Sequence, residues 1–132
     1  MAGVIAIDAS ILIALLNDSD THHAWARRFF TDTLDDDLCM SALTFAEVLV
    51  HPMKRNVGAE FLESIAGLGL QVRDITGEQA PRLADIRVRS ELKMPDAAVV
   101  HLAIETGATL ATLDAQLATQ AQNLSVPVYP RD

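Results

Sequence analysis

Short apolar runs of strand length alternate with longer helical stretches along the whole of this chain. Val4 to Asp8, Leu38 to Ser41, Gln71 to Ile75, Ala108 to Thr112 and Val126 to Tyr129 read as strands. Helices are expected from Ser10 to Asn17, from Asp20 or Thr21 to about Phe30, and from Thr44 to about His51, where Pro52 ends or bends the element. Four more are expected over Glu60–Gly67, Glu78 to about Leu92, Asp96–Thr106 and Ala115–Gln122, with Gly67, Gly69 and Gly107 as stops. Strands that are apolar at nearly every position need cover on both faces. That order and that composition predict an α/β fold with a parallel sheet between helical layers, in one domain spanning residues 1–132.

Bulk properties narrow the class. A chain of 132 residues, half of them apolar, buries roughly two-thirds of its unfolded surface and needs no staples. Its single cysteine, Cys39, sits in the apolar stretch LCMSAL and has no partner for an internal disulfide. It reads as a small buried hydrophobe in a reducing, cytoplasmic setting. The start MAGVIAIDAS has no basic segment ahead of an apolar one, and no apolar run reaches about 18 residues, so neither secretion nor a membrane span is expected.

Four acids stand where apolar segments stop: Asp8, Glu47, Asp96 and Asp114. In an open parallel sheet, ligands bind outside the carboxyl ends of strands, so these acids can converge in one crevice. Crowded carboxylates repel unless protonated or neutralised, and hard divalent cations prefer oxygen ligands. Each acid also has a structural reading. Asp8 suits a helix N-cap, although Ser10 is better placed for that and could instead bond a site carboxylate or phosphate. Thr44-Phe45-Ala46-Glu47 has the form of a capping box. Asp96 follows Pro95 at a helix start, where negative charge favours the dipole, and the stretch AAVVHLAI after it is apolar on nearly every face. Asp114 can cap the helix that begins at Ala115, with Thr112 at the strand end two residues earlier. One acid is well explained by capping; four at helix mouths are not.

Other chemistry lacks its residues. His22, His23, His51 and His101 do not fall into a zinc pattern, and His101 reads as packed. The chain has no G-x-S-x-G, no Walker A motif and no G-x-G-x-x-G. Asp8 has no second Asp two residues on, as an aspartyl-phosphate phosphatase would. The formal charge of −8 runs against nucleic-acid binding, which usually rests on clustered Lys and Arg, but neutralising the four acids brings it from −8 to −4. Arg82, Arg87, Arg89 and Lys93 before Asp96, with Lys54 and Arg55 after Glu47, can form a basic rim.

With these segments in order, the chain resembles the PIN-domain ribonucleases, specifically the VapC-type toxins of type II toxin–antitoxin (VapBC) systems. The resemblance is carried by IAIDASILIALLN, SALTFAEVL, MPDAAVVHLAIETGATLATLD and the closing VPVY, and covers the whole chain. It implies a PIN-like three-layer sandwich, with a five-stranded parallel sheet flanked by helices, that often dimerises. It also implies an Mg²⁺- or Mn²⁺-dependent endoribonuclease in which Asp8, Glu47, Asp96 and Asp114 form the site. Asp8, Asp96 and Asp114 would then hold metal, supported by Ser10 and Thr112. Many relatives carry another Asp two residues after the fourth acid, and here Gln116 stands in that place. The implied partners are an RNA substrate and a small VapB-type antitoxin covering the acidic cleft, for which the region around Trp25, Phe29 and Phe30 is a candidate groove. The alternatives are a catalytically silent interaction module of the same fold and a DNA nuclease of related fold.

Overall fold

The computed structural model describes residues 3–130. Four parallel strands form the sheet: β1 (Val4–Ile7), β2 (Asp37–Ser41), β3 (Gln71–Arg73) and β4 (Thr109–Ala111), in the order β3-β2-β1-β4. The register pairs Ile5 with Leu38 on one side and with Thr109 on the other. Helices α1 (Ala9–Leu16) and α2 (His23–Asp32) link β1 to β2, and α3 (Ala42–Lys54) and α4 (Gly58–Ala66) link β2 to β3. A 3₁₀ turn (Gly77–Gln79), α5 (Ala80–Arg89) and α6 (Met94–Thr106) lead to β4, and α7 (Ala115–Asn123) follows it. No helix among the described residues is long and apolar enough to cross a membrane.

Alternation along the strands divides the core into two layers. Ile5 and Ile7, Leu38 and Met40, and Ala111 pack with Ile11, Leu12 and Phe29 of α1 and α2. Ala6, Cys39 and Leu110 face the other way, onto Leu83 and Ile86 of α5, Val99 to Ala103 of α6, and Leu117 and Ala121 of α7. Helix α6 is buried at seven consecutive positions, Ala97 to Ala103, which explains its lack of a polar face. Gly107 ends it in the left-handed conformation (φ 65°), as a helix stop at the mouth of a strand requires.

Where the elements depart from the sequence reading, the reasons are local. The expected fifth strand, Val126 to Tyr129, makes one parallel bridge, Val128 to Leu110. Pro127 and Pro130 have no N–H to extend a ladder beyond it, so among the described residues the sheet has four strands, not five. The third strand stops at Arg73 rather than Ile75. Helix α3 begins at Ala42, directly after β2, because the Ser41 side chain accepts a hydrogen bond from the Leu43 N–H. Pro52 stays inside α3, where the last turn needs little more of its ladder. Trp25 stacks on Phe29 (5.4 Å between ring centres), and Tyr129 meets Phe29 edge-on (5.0 Å), with Phe29 buried. In the candidate groove, Phe29 is therefore core, while Trp25 and Phe30 are half-buried against it.

Candidate active site

After β1 the chain turns into α1 on one face of the sheet; after β4 it turns into α7 on the other. Because β1 and β4 are neighbours, their carboxyl ends mark the point where the topology switches side, and that geometry opens a crevice. Asp8 and Thr112 are the first residues beyond those two strands.

Asp8 is 5% exposed, and both oxygens of its carboxylate are held. The Ser10 hydroxyl donates to Oδ1 at 2.6 Å and the Thr112 hydroxyl to Oδ2 at 2.5 Å. Each hydroxyl is fixed in turn, Ser10 Oγ accepting from the Leu113 N–H and Thr112 Oγ1 from the Asp114 N–H, both at 3.0 Å. The Asp8 N–H reaches the Ala111 carbonyl at 3.3 Å, closing the end of β1 onto the end of β4. Asp8 occupies the N-cap position of α1 without making a side-chain cap bond, and Ser10 lies inside the helix, so Ser10 is not the cap. It orients the carboxylate instead.

Burial pushes the Asp8 pKa up; the Ser10 and Thr112 hydrogen bonds and the nearby Ile11 N–H oppose this, and the charge of Asp96 adds to it. The pKa of Asp96 is also raised, first by burial, then by the charges of Asp114 and Glu47, with Lys93 pulling it back. The four acids therefore share one electrostatic neighbourhood, built by β1, α3, α6 and the β4–α7 junction. Asp96 sits in the first turn of α6, behind Pro95. Asp114 caps α7: its Oδ1 accepts from the Gln116 and Leu117 N–H groups at 2.9 and 3.3 Å.

Glu47 is exposed on α3, and the capping box that Thr44 offered it does not form, since the helix starts two residues before Thr44. Thr44 is buried and its hydroxyl has no hydrogen-bond partner. The basic rim is thinner than the sequence indicated. Arg82 is paired with Glu105 at 2.6 Å and Arg89 with Asp85 at 3.2 Å. Lys93, next to the start of α6, is the cation that acts on Asp96. Arg55 was expected in the rim beside Glu47, but His51 was not linked to either, although the spacing 47, 51, 55 places the three on one helix face. Together with Asn17, Asp18 and the apolar side chains of Ile13, Leu16, Val48, Pro52, Val57 and Phe61 they line a groove of about 460 Å³.

The donor set consists of hard oxygens only, which suits Mg²⁺ or Mn²⁺. Among the described residues no three His, Cys, Asp or Glu side chains are placed to hold a metal ion together, so Asp8, Asp96 and Asp114 do not form the joint ligand set that was expected. An ion here would be held by one or two carboxylates with water completing its shell, as Mg²⁺ commonly is. Asp8 is buried and held at both oxygens, the charge of Asp96 acts on it, and Asp114 uses only Oδ1 to cap α7.

A family model for the PIN domain matches residues 5–122. No curated protein sequence matches the chain. Among solved structures, the chain is similar to the VapC20 toxin of Mycobacterium tuberculosis, described as cleaving the sarcin–ricin loop. Identity is 18% and the TM-score 0.74, with 87% of this chain and 93% of that one covered. It is likewise similar to FitAcB from Neisseria gonorrhoeae (25% identity, TM-score 0.68, 96% and 97% covered). A DNA-bound VapBC complex from Salmonella typhimurium aligns over 98% of both chains, at 18% identity and a TM-score of 0.72.

Proposed function

The chain belongs to the PIN-domain family, and from that premise we propose that it is a Mg²⁺- or Mn²⁺-dependent endoribonuclease, the toxin of a type II toxin–antitoxin pair. The observation that carries the reading is the Asp8 carboxylate. A protein does not bury an acid at a topological switch point, fix both of its oxygens with hydroxyls, and set Asp96, Glu47 and Asp114 around it for the sake of stability. That arrangement lowers stability in exchange for a place where positive charge binds.

Ser10 and Thr112 hold Asp8 in one rotamer, so ligand geometry is preset before any ion arrives. Asp96 and Asp114 complete the negative wall from α6 and α7. A divalent cation bound there supplies Lewis acidity toward the phosphate and makes a water more acidic. Glu47, exposed on α3, would orient a water beside the bound cation. No single carboxylate is assigned as general base, because all four would act through the same bound cation.

The antitoxin part of the proposal is supported by relatives that are themselves complexes: a toxin–antitoxin complex from Klebsiella pneumoniae and the VapBC and FitAB assemblies. A small basic segment aimed at the carboxylates would occupy the crevice and block substrate; a net charge of −8 favours such a partner.

Incubating the partner-free protein with a mixed RNA pool and Mg²⁺ or Mn²⁺, with EDTA and Asp96→Asn as controls, tests the reading. Cutting that is lost in both controls is the expected result. Cutting that survives Asp96→Asn overturns the site. No cutting under either metal, together with no metal binding by calorimetry, would make the protein an interaction module.

A further inference from the structure

A chain of net charge −8 holds a polyanion only where its few cations are free and well placed. Most are neither. Arg82 and Arg89 are spent in ion pairs. Arg27 and Arg28 lie on α2 beside Thr31 and Asp32, and Arg73 lines a small cavity with Asp74 and His101. Two cations stand next to the elements that carry the acids, one at the end of α3 and one at the start of α6. On the α3 side, Arg55 lines the same groove as Glu47 and His51. On the α6 side, Lys93 immediately precedes the helix that carries Asp96. Both are exposed, and neither forms an ion pair among the described residues.

We propose that Arg55 and Lys93 hold the phosphates on either side of the bond to be cut, so that a single RNA strand crosses the acidic crevice from α3 to α6. This inference rests on the ribonuclease reading above. Eight residues of helix separate Glu47 from Arg55, a rise of roughly 12 Å. That distance puts Arg55 on a phosphate away from the scissile one. Lys93 is nearer the acids: it is the N-cap residue of α6, three positions before Asp96 in the first turn of that helix. His51, one turn beyond Glu47 on the same face, lies along the path between Glu47 and Arg55. Both cations are positioning residues; neither is placed on the reacting atoms.

The test compares Arg55→Ala, Lys93→Ala, the double variant, and the swaps Arg55→Lys and Lys93→Arg, with Arg28→Ala as the surface control. Cleavage kinetics are read as KM and kcat separately. Binding of a labelled single-stranded RNA is read across salt concentrations in the Asp96→Asn background. Each alanine variant is expected to raise KM by about 5- to 10-fold with kcat nearly unchanged. Each should also lower the slope of log affinity against log salt by about 0.7. The swaps restore both and Arg28→Ala changes neither. Unchanged KM and slope in both alanine variants overturn the proposal, as does a fall in kcat at constant KM. If the wild type cuts no RNA, the ribonuclease reading fails, and the salt slopes still decide the cation posts: slopes lowered in the variants support them, and no RNA binding removes them.

Discussion

Asp8 and His101 are both almost fully buried, at 5% and 3% exposure, and burial pushes each toward its neutral form. Their surroundings differ. Asp8 has a hydroxyl on each oxygen, and each hydroxyl is anchored to a backbone N–H. His101 Nε2 has no hydrogen-bond partner, and the ring borders a cavity of about 40 Å³ shared with Ser41, Arg73, Asp74, Gln79, Glu105 and Thr106. Donors arranged around a carboxylate prepare it to stay charged; a buried imidazole with no acceptor for the proton on Nε2 is kept neutral. A buried titratable side chain therefore marks a site only when its neighbours are organised to support its charge.

The contrast breaks first at activity. Asp8→Asn is expected to lower RNA cleavage by at least about 10²–10³-fold, since it removes the best-oriented anionic ligand, whereas His101→Leu stays within about twofold. Initial rates on one RNA substrate decide this; equal losses in the two variants would erase the distinction. Next comes the support of Asp8. Thr112→Val keeps the shape of the side chain but strips a donor from Asp8 Oδ2 and an acceptor from the Asp114 N–H. We expect a loss of about 1–3 kcal/mol in denaturant unfolding and about 10- to 100-fold in activity. Thr112→Ser should recover most of both.

A cation provides a sharper contrast. The folded-state pKa of Asp8 is raised, so the folded protein holds its proton more tightly than the unfolded chain does. The resulting stability is present below the unfolded value of 3.8 and is lost as pH rises through the folded one. At neutral pH the ionised, crowded acids thus weaken the metal-free fold. Mn²⁺ or Mg²⁺ at a hundred times its Kd should return about 2.7 kcal/mol, seen as a rise in Tm. Asp96→Asn should raise Tm in EDTA by removing repulsion and should shrink the rise on adding metal. An unchanged Tm in both conditions would mean that the acids do not share a site.

Much of this was legible in the chain. The alternation of VIAI, LCMS and TLA with helical stretches pointed to the parallel sheet, and Asp8 and Thr112, read as the last residues of two strands, lie directly beyond β1 and β4. Local patterns misled where a neighbouring element decided the outcome. Thr44 and Glu47 form a capping box on paper, but β2 runs straight into α3 and Ser41 takes the cap. The fifth strand looked apolar enough, yet two prolines limit it to one bridge. Which arginines were free was not readable, because the pairing of Arg82 with Glu105 joins residues 23 apart in sequence. The groove beside Glu47 was missed for the same reason, since its walls come from α1, α3 and α4.

The smallest effect concerns His101 itself. Burial lowers its folded-state pKa below 6.5; Glu105 opposes the shift and Arg82 adds to it. Arg73 and Asp74 from β3 and its following loop, and Gln79 from the 3₁₀ turn, face the same cavity. A lowered pKa means that the unfolded chain takes up the proton first. Stability therefore holds above pH 6.5 and falls as pH drops from there toward the folded value. His101→Leu removes that dependence and fills an apolar helix with an apolar side chain, so its unfolding free energy should be flatter between pH 7 and 5 than the wild type's. Asp8 titrates in the opposite sense, gaining stability as the pH falls, so the two residues oppose each other across the acid range. If the Leu variant keeps the wild-type slope, the acid sensitivity belongs to other groups, and the contrast between the two buried residues rests on activity and metal binding alone.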